Sequence, residues 1–148
     1  MTKKQEIIDK LRGARVSHTT WKSFAHLIAK GVLNDPNGDS TPLVPTLCDF
    51  GKWYYKDGLV LSSLKSYKDI EMPHEQLHNT YAEIYALKET VVKGGLFKSK
   101  GKAEKEKEEE IGEMLKVLDN YVHIVLTVLQ RLEEEVEGMS DERIDMLN

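Results

Sequence analysis

Three histidines and the only cysteine of the chain are the residues best suited to chemistry: His18, Cys48, His74 and His78. Three imidazoles and one thiolate make a complete tetrahedral ligand set for zinc. His74 and His78 lie four residues apart, which places both on one face of a helix, so the other two must come from other elements. These ligand types favour zinc over magnesium or calcium, which prefer oxygen, while copper(I) and iron(II) stay open as alternatives.

Composition and spacing alone leave other interpretations open. His18 falls on an apolar stripe, where a core imidazole bonded to a backbone carbonyl is a common alternative. Two histidines four apart on a helix also arise by chance, and a free buried cysteine is most often a small hydrophobic residue. Because a single cysteine excludes an internal disulfide, Cys48 is interpreted as a metal ligand or a redox-active thiol.

The string from His74 to His78 also reads His-Glu-x-x-His, the motif in which a zinc protease binds its metal and uses the glutamate as general base. This alternative makes Glu75 catalytic. A hydrolase keeps one coordination position open for water, whereas Cys48 as fourth ligand would close it. A di-iron site needs Glu-x-x-His on two helices, but both copies here share one segment starting at Glu71. We therefore expect no catalytic residues and no enzyme activity.

The element predicted to carry His18 is a long amphipathic helix. From Ile7 to Val32 apolar positions recur in alternating steps of four and three, with His18 on the buried face. The predicted stripe consists of Ile7, Leu11, Ala14, His18, Trp21, Ala25, Ile28 and Val32. A group of turn-forming residues at 34–39 is predicted to end this helix.

Shorter elements are predicted in the middle of the chain. Thr46 is predicted to cap a short helix that holds Cys48 and ends near Asp57-Gly58. Residues 62–67 are predicted to form another turn of helix. Pro73 suits the first position of a further helix, because its missing amide hydrogen costs nothing there.

The helix that starts at Pro73 is predicted to carry both paired histidines and to run until Gly94-Gly95. Its buried stripe is predicted to continue through Tyr81, Ile84 or Tyr85, and Val91. The lysine-rich stretch that follows, 98–107, is interpreted as a solvated connection or a frayed helix start.

The last predicted helix, from about residue 104 to 137, has the strongest pattern. Its stripe consists of Ile111, Met114, Leu118, Tyr121, Val125, Val128, Leu132 and Val136. Since no hairpin turn separates alternating β-branched runs, we predict an all-α fold. Its expected form is an antiparallel four-helix bundle with an additional short helix that carries the cysteine.

Length and composition suit one domain over residues 1–148: 40% of the residues are hydrophobic and 31% are charged. A formal charge of -4 argues against binding to nucleic acid, which usually needs a basic face. No apolar signal segment opens the chain and no stretch reaches the length of a membrane span, so we expect a cytoplasmic protein without a membrane-spanning helix.

The chain resembles the chemoreceptor zinc-binding (CZB) domain family in three ordered segments: His18 with Trp21-Lys22, the run Cys48-Asp49-Phe50-Gly51-Lys52-Trp53-Tyr54, and His74 with His78. The resemblance covers about Ala14 to Tyr85. In that family the histidine of a His-x-x-Trp segment, the cysteine of a Cys-x-Phe/Leu-Gly-x-Trp segment and two later histidines bind one zinc ion. The resemblance therefore implies that His18, Cys48, His74 and His78 bind Zn²⁺.

Residues beside the four are predicted to shape the site. Gly51 would allow helices to approach closely beside the metal. Trp21, Phe50 and Trp53 would exclude water and keep the thiolate in apolar surroundings. The alternative is that these aromatic side chains only fill the core.

The resemblance also implies signal transduction. Family members lie in bacterial chemoreceptors and diguanylate cyclases, usually as homodimers fused to a signalling part, and are linked to responses to zinc or to oxidants such as hypochlorous acid. Because this chain has no room for that part, we expect a stand-alone homodimeric sensor that acts on a separate protein of a chemotaxis or cyclase pathway. Cys48 is the redox-sensitive residue in this hypothesis. The alternative is an interaction module with purely structural zinc.

Overall fold

The computed structural model describes residues 1–35 and 41–147, and every regular element in these ranges is helical. The helices are α1 (Lys3–Ala29), α2 (Asp49–Tyr54), α3 (Lys65–Lys68), α4 (Glu71–Glu89), α5 (Lys100–Glu137) and α6 (Asp141–Asp145), with 3₁₀ helices at Pro45–Leu47 and Asp57–Leu61. The predicted all-α class is confirmed. This content fits a four-helix bundle, although the bundle arrangement itself stays a prediction.

The long helix α5 is the element on which the others pack. Both α1 and α4 lie against it, and α6 returns to pack on α1. Apolar side chains from all of these helices belong to one hydrophobic cluster. The side chains fully shielded from solvent include Leu11, Ile28, Leu77, Tyr81, Ile84, Leu118, Leu129, Leu132 and Ile144. This core holds α1 and α4, the helices of the three histidines, in fixed register.

An ionic contact also ties α1 to α5. The buried carboxylate of Glu133 accepts hydrogen bonds from Arg12 Nε at 2.5 Å and from Arg15 at 2.6 Å. Both arginines keep part of their side chains in solvent, whereas that of Glu133 is only 7% exposed. The contact lies one to two turns before His18 and fixes that part of α1 along α5.

The end of α1 differs from the sequence prediction. Gly31 adopts a φ of 75°, which glycine reaches without strain, and the amide of Val32 donates to the carbonyl of Leu27 at 2.9 Å. This closes the helix after Ala29, so the predicted stripe position at Val32 is wrong and that side chain is exposed. Of the turn formers predicted at 34–39, those at 36–39 lie outside the described residues.

Cys48 precedes a helix and does not lie inside one. Its backbone is extended, and its sulfur accepts a hydrogen bond from the amide of Gly51, so it is the N-cap of α2. The predicted cap at Thr46 is therefore wrong, because that residue belongs to the preceding 3₁₀ helix. Helix α2 ends at Tyr54, before the predicted boundary.

Helix α4 begins at Glu71, two residues before the predicted start at Pro73. The proline is tolerated because amides in the first turn have no acceptor within the helix. The helix ends at Glu89, so the prediction that it continues to Gly94 is wrong and Val91 is exposed. Lys107 of α5 donates to the carbonyls of Lys88 and Thr90, which satisfies this end of the helix.

Helix α5 confirms the strongest sequence prediction and begins four residues earlier, at Lys100, where Ser99 accepts from the amide of Lys102. Most of the predicted stripe is buried; Met114 and Tyr121 are half-buried. This helix is long enough to cross a membrane but too polar. No other helix in the described ranges is both long enough and apolar enough to do so.

Candidate metal centre

Side chains from three separate parts of the chain converge at one point. His18 comes from α1, Cys48 from the residue before α2, and His74 and His78 from consecutive turns of α4. One ligand atom from each lies within 4.8 Å of those of the others. The histidines are buried and the cysteine is half-buried. The structure thus brings together the four residues that the sequence singled out.

His18 has one ring nitrogen occupied and one without a partner. Its Nδ1 lies 2.7 Å from the carbonyl oxygen of Ala14. Because a carbonyl only accepts, Nδ1 carries the proton and Nε2 keeps its lone pair. Nε2 is buried and contacts no hydrogen-bond partner in the described part of the chain. The core-histidine interpretation therefore accounts for one nitrogen of His18 and leaves the other unexplained.

His78 repeats this arrangement from α4. Its Nδ1 donates to the carbonyl oxygen of Pro42 at 2.8 Å, which leaves the Nε2 lone pair free. That Nε2 is also buried without a partner among the described residues. Imidazoles that bind metals commonly donate their second nitrogen to a carbonyl in this way.

His74 lies between the other ligands and touches the thiol. Its Nε2 is 3.3 Å from Cys48 Sγ, while its buried Nδ1 has no partner in the ranges described. Its ring centroid is 5.1 Å from that of His18 and 4.8 Å from that of His78. Three imidazoles are thus packed edge to face within one small volume.

The sulfur of Cys48 is held by the backbone around it. The amide of Gly51 donates to Sγ at 3.2 Å, and Sγ lies 3.2 Å from the carbonyl oxygen of Pro45. A Cβ on residue 51 would stand 1.7 Å from that same oxygen. Gly51 thus permits the 3₁₀ helix to fold closely onto α2, an approach of backbone to backbone that only glycine allows.

Aromatic rings cover the cluster on two sides. Phe50 meets the ring of His74 edge to face at 5.1 Å and that of His18 at 5.7 Å. Trp21 lies 5.2 Å from the ring of His78. Trp53 packs on Phe50 and is half-buried, one layer farther out. Two of the three predicted aromatic residues therefore touch histidines of the cluster directly.

Burial keeps all four groups uncharged in the protein alone. Desolvation lowers the pKa of His74 to about 2, helped by its two histidine neighbours, and that of His78 to about 4. It also lowers the pKa of His18. Neutral imidazoles are the form that binds metals. Burial raises the pKa of the Cys48 thiol, an effect that a nearby divalent cation would reverse.

These observations fit a zinc ion. Three buried imidazoles each hold a ring nitrogen without a partner in the described ranges. The sulfur of Cys48 lies 3.3 Å from the other ring nitrogen of His74, Nε2. Unpaired buried nitrogens are costly in an apolar core unless something binds them. A set of three nitrogens and one sulfur matches the ligand preference of zinc.

The competing motif is placed differently. Glu75, the candidate general base of the His-Glu-x-x-His string, is exposed, whereas the two histidines of the string are buried.

Sequence reasoning missed the carbonyls of Ala14, Pro42 and Pro45. Backbone acceptors have no residue signature, so no pattern in the sequence could have identified them.

A comparison with protein families agrees with this picture. The family model described as chemoreceptor zinc-binding domain matches residues 18–85, which include all four residues of the cluster. The predicted resemblance is thereby confirmed for this segment. Neither the curated proteins nor the solved structures contain a significant match.

Proposed function

Because the chain contains a chemoreceptor zinc-binding domain over residues 18–85, we propose that His18, Cys48, His74 and His78 bind one Zn²⁺ ion as part of a bacterial signalling sensor. The observation that carries this proposal is the set of three buried imidazoles and one thiol, of which one ligand atom each lies within 4.8 Å of the others. We further propose that residues 1–148 act as one domain, without catalytic residues.

Each residue has a distinct part in the proposed site. His18 and His78 present Nε2, because their Nδ1 protons are held by backbone carbonyls. The Nε2 atom of His74 lies beside the sulfur of Cys48, and the amide of Gly51 orients that sulfur by a hydrogen bond. Phe50 and Trp21 limit the access of water. When bound, Zn²⁺ would keep Cys48 as a thiolate.

Metal analysis tests the ligand set. The purified protein should hold one zinc per chain, and the Cys48→Ser variant should bind it at least tenfold more weakly. In the cobalt-substituted protein, the tetrahedral cobalt spectrum should include a sulfur charge-transfer band that is absent from C48S. Replacing the exposed His123 by Gln is the matched control and should change neither quantity. A wild-type protein without zinc, or an unchanged band in C48S, would contradict the ligand set.

Cys48 also provides a chemical route to oxidant sensing. Attack of its thiolate on the chlorine of hypochlorous acid forms a sulfur–chlorine bond and breaks the oxygen–chlorine bond, releasing hydroxide. Water then displaces chloride from the sulfenyl chloride, which gives a sulfenic acid, chloride and a proton. The sulfur loses two electrons and the oxidant gains them. The product is a weaker metal donor, so the affinity of the site should fall, and α2, which Cys48 caps, can shift.

The oxidant proposal is tested by treating the zinc-loaded protein with one equivalent of hypochlorous acid. Zinc release should follow sulfenic acid formation at Cys48, measured by a chromogenic chelator and by mass spectrometry. Thioredoxin or dithiothreitol should restore binding. Retained zinc with an unmodified thiol would reject oxidant sensing and leave zinc itself as the signal.

A purely structural role for zinc is the second candidate. The burial of all three histidines favours it, because a closed site need only stabilise the fold. The two roles differ after chelation: a sensor stays folded and changes its helix positions or its oligomeric state, whereas a structural zinc domain unfolds. Circular dichroism and light scattering on the chelated protein separate them.

We propose that the sensor is a cytoplasmic homodimer that signals through a separate chemoreceptor or cyclase protein. Light scattering of the zinc-loaded and zinc-free chain tests the dimer. The hydrolase alternative predicts peptidase activity that Glu75→Gln abolishes. Absence of peptidase activity in the zinc-loaded wild type would reject that alternative.

A further inference from the structure

The carbonyl of Pro42 accepts the hydrogen bond of His78, and the residue before it, Thr41, belongs to a buried chain of hydroxyl hydrogen bonds. Tyr81, one helical turn after His78, donates its phenol hydrogen to Thr41 Oγ1 at 3.0 Å. Thr41 Oγ1 donates in turn to Asp35 Oδ2 at 2.9 Å. Tyr81 is fully buried and Thr41 is 1% exposed, so these bonds are made away from solvent.

The same carboxylate oxygen also binds the backbone of this segment. The amide of Thr41 donates to Asp35 Oδ2 at 3.0 Å, so both the main chain and the side chain of Thr41 are fixed. Pro42 follows immediately, and its carbonyl oxygen is the acceptor of the His78 Nδ1 hydrogen. A chain of bonds therefore runs from Tyr81 through Thr41 to the acceptor that sets the tautomer of His78.

We propose that Tyr81 and Thr41 are positioning residues for His78, which hold the Pro42 carbonyl where it keeps Nδ1 protonated and leaves Nε2 free for a metal ion. The inference rests on the proposed function for its consequence, zinc binding. The tautomer of His78 is a property of the metal-free protein and can be measured without zinc. The Tyr81 hydroxyl donates one bond, and the Thr41 hydroxyl accepts that bond and donates another, so removing either hydroxyl interrupts the chain.

The geometry favours this role over simple packing. Pro42 has no amide hydrogen, so its position must come from the residues around it. Thr41, the residue before Pro42, is bonded to Asp35 in the segment after α1 and to Tyr81 of α4. If the carbonyl were displaced, the imidazole of His78 could rotate or change tautomer. A protonated nitrogen, which cannot bind a metal ion, would then face the other histidines.

The test uses Tyr81→Phe and Thr41→Val, each of which removes one hydroxyl at nearly constant volume. Nitrogen-15 spectra of the metal-free protein should show a protonated Nδ1 on His78 in the wild type and a mixture of tautomers in both variants. Zinc affinity by chelator competition should fall about tenfold. Thr41→Ser keeps the hydroxyl and should restore both quantities. Tyr85→Phe, at a half-buried tyrosine one turn later on α4, is the matched control.

Unchanged tautomer and unchanged affinity in Y81F and T41V would overturn the inference, even if both variants melted at lower temperature. A changed tautomer in a protein whose wild type binds no zinc would reject the proposed function and support the positioning role. If Y81F fails to fold, T41V with its T41S rescue decides the same question.

Discussion

Gly51 occupies a position beside the site that leaves no room for a side chain. A Cβ there would meet the carbonyl oxygen of Pro45 at 1.7 Å, and that oxygen is also 3.2 Å from Cys48 Sγ. The carbonyl oxygen cannot yield without moving the 3₁₀ helix, because it belongs to the backbone. The close approach predicted for this glycine is thus an approach to the very turn that presents the sulfur.

We expect Gly51→Ala to lower the free energy of unfolding by about 1 to 3 kcal/mol through this clash and to weaken zinc binding at least tenfold. Urea unfolding and chelator competition measure the two effects. Gly13→Ala in α1 is the control, because its Cβ meets nothing within 4 Å; it should stabilise the helix by about 1 kcal/mol. Equal behaviour of the two variants would contradict the clash.

The buried histidines make the metal-free protein sensitive to acid. Their pKa values in the folded state lie below the unfolded value, near 2 for His74 and 4 for His78. Below pH 6.5 the unfolded chain therefore binds protons that the folded chain cannot. The stability contributed by neutral burial is complete above pH 6.5 and is lost as the pH falls, for His78 until about pH 4.

The expected loss is about 1.4 kcal/mol per pH unit for each histidine once the pH is well below 6.5. Urea unfolding of the metal-free protein between pH 7 and pH 5 measures this slope. His78→Gln should reduce the slope, whereas His123→Gln, at an exposed position, should leave it unchanged. A stability that stays constant over this range would show that the imidazoles are not buried as described.

At the scale of elements, the ionic contact between α1 and α5 depends on one buried carboxylate. Glu133 accepts from Arg12 and Arg15 with its two oxygens. Glu133→Gln keeps the volume and removes the charge, so we expect a loss of about 1 to 3 kcal/mol. Glu137→Gln, which touches Arg12 from a side chain that is 44% exposed, should cost less than about 1 kcal/mol.

Urea unfolding measures both variants, and zinc affinity supplies a second readout. Since the contact lies in α1 before His18 and the core still fixes the helix, we expect E133Q to bind zinc with wild-type affinity. A large loss of affinity would mean that the ionic contact, and not the apolar core, sets the position of His18.

The long helices could be predicted from sequence because their stripes are long. Helix α5 buries most of its predicted positions over its whole length. Helix ends were predicted less well, since they depend on contacts. Gly31 ends α1 through a left-handed turn that a single glycine signals weakly. Lys107, distant in sequence, binds the carbonyls at the end of α4.

The sequence predicts the four residues of the candidate site but not the backbone and hydroxyl groups that hold them in place. Periodicity placed His18 and the paired histidines on buried faces, but only the family resemblance joined them to Cys48. The position of Cys48 as an N-cap followed from the fold of the 3₁₀ helix onto Gly51. The carbonyl of Pro42 and the hydroxyl chain behind it join segments whose proximity no local pattern indicates.

At the scale of the whole molecule, the apolar core extends well beyond the cluster of three histidines and Cys48. The buried side chains of α5 from Ile111 to Val136 continue the core well beyond the cluster. Helix α2 is held mainly through Phe50, Tyr54 and the cap at Cys48. Tyr54 stacks on Tyr67 at 4.2 Å, and each hydroxyl donates to the other residue's carbonyl.

Because so much of the core lies away from the cluster, we predict a local response to metal removal. In the chelated protein we expect hydrogen exchange to increase at residues 45–54, because the sulfur loses its strongest partner, while amides of α5 near Leu118 and Leu129 stay protected. Zinc at a hundred times its dissociation constant should stabilise the fold by about 2.7 kcal/mol. Tyr54→Phe should increase exchange in α2 even with zinc bound. Loss of protection throughout α5 on chelation would instead assign the zinc a purely structural role, since the apolar core would then be unable to hold the helices without the metal.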